Sequence, residues 1–179
     1  MVTVRAALVL LTLLLPGAAR AEAVGRVLAM RGGASIKPAG AKEFQALARG
    51  QDVTEGAVIK TDGGGAARLL MNDRSILDLG PSSHITVARY QVDRAQKKRS
   101  VGIHVFVGKL WARVTNVFGQ DKNYEIHTAN AVAGVRGTEL IVSVELSGKA
   151  EVICVSGSVE VASRLGSAEP RSQLGQLRG

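Results

Sequence analysis

The chain has 179 residues, a formal net charge of +8 at pH 7, one cysteine, and few aromatic residues: one tryptophan, two tyrosines and three phenylalanines. A lone thiol excludes an internal disulfide framework, so packing alone has to stabilise the fold. The charge is basic but not extreme; it suits an anionic surface or polymer, and it suits a merely solvated surface as well.

The first predicted element is an export signal. Arg5 supplies a positive n-region, and Ala6 to Leu15 is apolar except at Thr12. Pro16 and Gly17 break the run, and Ala19-Arg20-Ala21 places small residues where a signal peptidase reads them. Cleavage is expected after Ala21, with Ala21-Glu22-Ala23 as a second cut. The run is about half the roughly 20 residues a membrane span needs. No cysteine follows it, which argues against a lipid anchor, and no second stretch is long and apolar enough to span. Residues 1–21 therefore read as a signal peptide, and the mature chain as periplasmic or secreted with no transmembrane segment. Of the +8, Arg5 and Arg20 leave with the signal, so the mature chain carries +6.

Turn signals then recur every eight to twelve residues, which predicts an all-β domain over residues 22–163. Strands are expected at Val24 to Met30, Ala34 to Lys37, Val58 to Thr61, Ala67 to Met71, Ser75 to Leu79 and from Ile85. Residues 41–57 are polar and irregular. Asp62-Gly63-Gly64-Gly65 is a loop, and Asn72-Asp73 a tight turn. Asp93 to Ser100 is read as an exposed basic loop with Arg94, Lys97, Lys98 and Arg99. Strand character resumes at Val101 to Val107 and Lys109 to Val114 around Gly108, then at Tyr124 to Thr128. The C-terminal part predicts strands at Glu139 to Leu146, Lys149 to Val155 and Ser158 to Ala162, with turns at Ser147-Gly148 and Ser156-Gly157. No helical period persists, so at most a helical turn is expected near 41–48 or 129–134. Residues 164–179 have few apolar residues and read as a flexible polar tail.

Catalytic and metal chemistry find little support. His84, His104 and His127 lie 20 and 23 residues apart, without metal-ligand spacing and with no cysteine nearby. No Gly-x-Ser-x-Gly elbow occurs. Cys154 sits in the apolar run Val152-Ile153-Cys154-Val155 and reads as a buried small hydrophobe. Asp73 with Asp78 is the nearest carboxylate pair, but Asp73 has a local turn role. The glycine loop at 62–65 lacks the Gly-Lys-Ser/Thr ending of a phosphate loop. The basic run near Arg94 has only Tyr90 as an aromatic neighbour, so stacking platforms for single-stranded nucleic acid are missing. No metal, no cofactor and no nucleic-acid partner are expected.

Two groups of residues carry a family resemblance. The first is Gly50-Gln51-Asp52-Val53, Gly56 to Thr61, Ala67-Arg68-Leu69, Asn72-Asp73-Arg74-Ser75 and Leu77-Asp78-Leu79-Gly80-Pro81-Ser82-Ser83. The second is Val107-Gly108-Lys109-Leu110-Trp111-Ala112-Arg113-Val114, Tyr124 to Ala131, Val132-Ala133-Gly134-Val135-Arg136-Gly137-Thr138-Glu139-Leu140, and Val152 to Val161. Together they resemble a FecR domain over about residues 24–162. Leu140 replaces the aromatic residue usual in the family's Gly-Thr segment. The resemblance implies a β-solenoid-like fold or β-roll of short strands joined by tight glycine-containing turns. It marks Asp73, Ser75, Gly108, Gly134, Arg136, Gly137, Thr138 and Leu140 as structural motif positions, with Gly134 and Gly137 free to adopt backbone conformations barred to other residues and Thr138 bonding locally at a turn.

The resemblance also implies a non-enzymatic envelope-signalling role. The best-known members carry a cytoplasmic anti-sigma segment and a membrane helix, and this chain shows neither. The expected function is an exported protein-interaction or signalling module with a protein partner in the envelope. The alternative is a glycan- or peptidoglycan-associated scaffold that binds an anionic envelope polymer.

Overall fold

The computed structural model describes residues 21–116 and 123–164. Residues 1–20 of the predicted export signal and all of the predicted tail after Arg164 lie outside the described residues. The described chain is twelve strands: β1 (Ala23–Arg31), β2 (Ala34–Lys37), β3 (Gln45–Ala46), β4 (Asp52–Thr54), β5 (Val58–Thr61), β6 (Ala66–Met71), β7 (Ile76–Leu79), β8 (His84–Asp93), β9 (Lys98–Arg113), β10 (Tyr124–His127), β11 (Ala131–Val144) and β12 (Ala150–Ser163). No helix is present among the described residues. The all-β class thus stands, and no helical turn forms at 41–48 or 129–134: the first holds β3 and the second opens β11.

The strands form one curled, half-barrel sheet. Its main path runs β3-β2-β5-β8-β9-β7-β6-β1-β4, with β10 and β11 added beside β9 and β12 beside β11. A solenoid stacks its rungs as parallel ladders. Here, among the described residues, the parallel ladder is β10 with β9, and the others are antiparallel.

β9 is the spine. Its first half takes β8 along one edge and β10 along the other; its second half takes β7 and β11. Val101, Ile103 and Val105 point inward, then Leu110, Ala112 and Val114 do. The inward parity therefore switches once, and Gly108, with φ of 94°, sits at the switch. The register shows why the sheet must curl. Through β10, Gly134 of β11 is level with Gly102 of β9. Five residues further along β11, Glu139 lies against Arg113 rather than near position 97. A flat sheet cannot satisfy both, so β9 folds over at Gly108 and β11 bridges its two halves. The two strands read from the sequence on either side of Gly108 are one bent strand.

The same applies at the C-terminus. Ser156-Gly157 is not a turn; it lies inside the continuous β12, where Gly157 has φ of 91°. Gly137 (φ 55°) sits beside it in β11, and a Cβ on Gly157 would come within 2.8 Å of the Gly137 carbonyl oxygen. Both strands switch inward parity here together. β11 points Ala133 and Val135 inward, then Thr138, Leu140 and Val142.

The core lines the concave face. Val27, Ile36, Ile59, Leu69, Leu77, Ile85, Ile103, Leu110, Ile126 and Leu140 are essentially inaccessible. These β-branched and leucine side chains alternate with polar outward residues at the strand period of two. Leu140→Ala is expected to cost about 2–5 kcal/mol from lost burial and a residual cavity, read as a lower midpoint in urea denaturation with an unchanged slope.

Candidate binding surface

The motif residues fall into two structural sets. Asp73 and Ser75 form a buried polar knot at the β6–β7 turn. The turn closes by the Arg74 N–H donating to the Met71 carbonyl at 2.9 Å, and Arg74 takes φ of 66°. Asp73 Oδ1 accepts from the Ser75 N–H at 3.0 Å; Oδ2 accepts from Ser75 Oγ at 2.9 Å and from Arg99 Nη1 at 3.0 Å. The Asp73 N–H donates to Tyr90 Oη at 2.7 Å, and Thr115 Oγ1 donates to the Asp73 carbonyl at 2.7 Å. Arg99 lies 5.1 Å from the centre of the Tyr124 ring. Both tyrosines are held far above the usual phenol range, first by burial and next by the Asp73 charge, and stay neutral.

This corrects the reading of the basic run as a solvated loop. The hairpin tip between β8 and β9 is exposed, but Arg99 is 3% exposed and pairs with Asp73 in the interior. Asp73 and Asp78 do not face each other across a cleft: Asp78 binds Arg68 on the outer face, with Arg68 Nη2 donating at 2.9 Å.

The second set lies along β9 to β12. A Cβ on Gly108 would meet Ser83 Cα at 2.4 Å, so that position needs glycine for space as well as for φ. Gly137 needs it for φ and for Asn116 close by. Gly134 differs: it lies in β11 without a positive φ, and an added Cβ would make only ordinary contacts with Glu160. The backbone freedom expected at Gly134 is therefore not used. Thr138 is buried, and its Oγ1 sits within 2.9 Å of the Arg136 carbonyl and 2.7 Å of the Ser158 carbonyl, bonding within β11 and across to β12 rather than at a turn. Arg136 is exposed and Leu140 buried. Cys154, expected to be buried, is exposed on β12.

The histidines come together more than their spacing suggests. His84, His104 and His127 lie on β8, β9 and β10, which are neighbours in the sheet. The His104 and His127 rings are 4.8 Å apart, and His127 Nε2 is 2.9 Å from Glu125 Oε2. Among the described residues, no group of three or more His, Cys, Asp or Glu side chains is placed to hold a metal ion. Burial, then the Lys60 and Lys37 charges, holds His84 below its usual pKa; burial, then His127, does so for His104. In the unfolded chain both take up protons more readily. Stability is thus expected to be full above about pH 6.5 and to fall as the pH drops below it. Thermal melts between pH 7.5 and 5 check this, and the His84→Gln/His104→Gln variant should flatten the slope.

Outward-facing residues form two surfaces. On the first, the ladders align Arg68, Asp78, Trp111, Ile141 and Ile153 in one row across β6, β7, β9, β11 and β12. Trp111 is 37% exposed and Ile153 46%. Arg113 lies 5.0 Å from the Trp111 ring centre, and its Nε donates to Glu139 at 2.8 Å, which props the indole. On the second, Phe44 lies between the ammonium groups of Lys37 and Lys60, at 5.4 and 4.5 Å from its ring centre. The His84 ring follows, 4.7 Å from Phe106, which is 51% exposed. Neither surface was found from the sequence. The signal was there for Trp111: Leu110, Ala112 and Val114 keep the inward parity, so Trp111 and Arg113 must point out.

The FecR protein family model matches residues 57–160, which takes in both polar-knot motif residues and the whole of the Gly-Thr segment. The chain belongs to the FecR family. No curated protein and no solved structure matches it. The FecR family is a regulatory one, associated with signalling at the cell envelope. No helix among the described residues of this FecR domain is long and apolar enough to cross a membrane.

Proposed function

We propose that this FecR domain works as a non-enzymatic protein-interaction module in envelope signalling, exported by a signal peptide cleaved after Ala21 and acting in the periplasm or outside the cell. Residues 22–163 form the module, and the curl of its sheet is the sense in which it is roll-like. The observation that carries this reading is the outer row centred on Trp111. A partly exposed tryptophan, braced by an arginine and flanked by Ile141 and Ile153, has the composition of an interface hot spot. Removal of the anchor is the test. Trp111→Ala combined with Ile141→Asp, both off the β12 edge, should lower partner affinity at least tenfold, while Lys42→Ala, on the far β2–β3 loop, should not. The measurement is quantitative capture from envelope extract with all three proteins. The same bound species lost only from the double variant supports the reading; equal capture by all three removes it.

The second reading, an anionic glycan or peptidoglycan scaffold, is favoured by the other surface. Phe44 and Phe106 offer flat apolar faces, and Lys37 and Lys60 offer positive charge beside them. Sedimentation with purified cell-wall sacculi at low salt, lost in Lys60→Ala/Phe106→Ala, would support it.

A further inference from the structure

Among the described residues, β12 is an open edge: it ladders with β11 alone, and its other edge has no strand beside it. Proteins blunt such edges with lysine, proline or shortness. The fourteen residues Ala150–Ser163 contain no lysine, arginine or proline. The inward face is exposed as well. Val152, Cys154, Val159 and Val161 stand opposite the buried Val142, Leu140, Val135 and Ala133 of β11. They continue that apolar layer to its rim: Val152 and Val159 are partly buried against the core, Cys154 is exposed, and Val161 is 53% exposed.

We propose that the occupant of this edge is a second copy of the chain, paired antiparallel through β12 about a two-fold axis between Ser156 and Gly157. The strand's own pattern singles out that register. Because β12 switches inward parity at its central bend, the inward residues are Ala150, Val152 and Cys154 before it and Val159, Val161 and Ser163 after it. Placing the axis at the bend sets Val152 against Val161 of the second copy and Cys154 against Val159 of the second copy. The four central inward residues each meet an apolar one, Ala150 and Ser163 face each other at the strand ends, and the bends coincide, as they already do between β11 and β12. Sliding the register by one residue would oppose inward to outward side chains. The carboxylates also clear one another: Glu151 faces Ala162 of the second copy, and Glu160 faces Ile153 of the second copy. Like charges directly opposite would oppose pairing, and this register has none. The interface uses the edge and inner face of β12, whereas the proposed partner surface is the outer row at Trp111. Failure of one leaves the other standing.

The test uses the lone thiol of the full mature chain. In the paired form, Cys154 of the two copies is separated by about five strand residues, roughly 16 Å, too far for a disulfide, which needs Cα atoms within about 7 Å. Val159→Cys places a second thiol directly opposite Cys154 of the second copy. The two thiols of one chain are themselves five strand residues apart and cannot close on each other. On oxidation with diamide, V159C is expected to give a covalent dimer, and the wild type is not. Sedimentation of the unmodified protein should show a dimer that Val161→Lys converts to monomer, which covers the case in which V159C fails to fold. A monomeric wild type, or cross-linking of wild type and V159C alike, overturns the proposal. So does amide protection along β12 in a monomer, which would mean that residues 165–179 or another ligand cap the strand.

Discussion

Asp73→Ala is expected to destabilise the domain by about 3–5 kcal/mol, because it strands a buried charge. Asp73 and Arg99 side chains are 0% and 1% exposed, and their 3.0 Å pair is the centre of the knot that ties the β6–β7 turn to β8 and β9. Without the carboxylate, the guanidinium stays in the interior with its strongest partner gone. The Ser75 hydroxyl and N–H lose their acceptors at the same time. At roughly 2–4 °C per kcal/mol for a domain of this size, the melting temperature should drop by about 10 °C. The double variant Asp73→Ala/Arg99→Met distinguishes this cause from simple loss of contacts. Removing both charges relieves the desolvation problem, so the double variant should be more stable than Asp73→Ala alone. Calorimetric melts of the wild type, both single variants and the double variant decide it; a double variant as unstable as the sum of the singles would show that the pair is not the reason.

Gly108→Ala is expected to be nearly as damaging, at about 3 kcal/mol. Two costs combine. A φ of 94° is strained for any L side chain, at about 1–2 kcal/mol. The added Cβ would also stand 2.4 Å from Ser83 Cα and 2.7 Å from the Ser82 carbonyl oxygen, both backbone atoms that cannot swing away. The control is Gly148→Ala at the β11–β12 turn. There φ is 82° but nothing lies within 4 Å, so only the conformational cost applies, at about 1 kcal/mol. Urea denaturation of the two variants separates the terms. Equal losses would mean that the close approach at the corner of β9 has relaxed at no cost.

Much of the strand layout was legible because the core uses plain period-two alternation. β2 and β5 carry the residues expected of them, since Pro38 and Gly33 bound the one and Gly56 and Asp62 the other. The errors share a cause. Gly108 and Ser156-Gly157 look like turns because glycine beside serine or lysine usually is one. A glycine at positive φ within a long strand bends it without ending it, and only the partners across the sheet decide which occurs. Arg99 was misjudged for a related reason. Its neighbours Lys97 and Lys98 lie at the exposed end of the hairpin, and local charge gives no sign that one arginine turns in to meet an aspartate 26 positions away. Cys154 sits in an apolar run, but that run is on an edge strand, and position in the sheet is not written in local sequence. The outer rows were hidden because Phe44, Phe106 and Trp111 gain meaning only when adjacent strands set them beside Lys60, His84 and Ile141.

Under the proposed function, the Trp111 row is the surface that meets a protein partner. A photoreactive phenylalanine analogue at position 111, in the full chain within living cells, puts this to the test. A discrete covalent adduct with an envelope protein is expected, absent when the analogue replaces the exposed Phe44 on the other surface. No adduct at 111, or the same adduct from both positions, would contradict it.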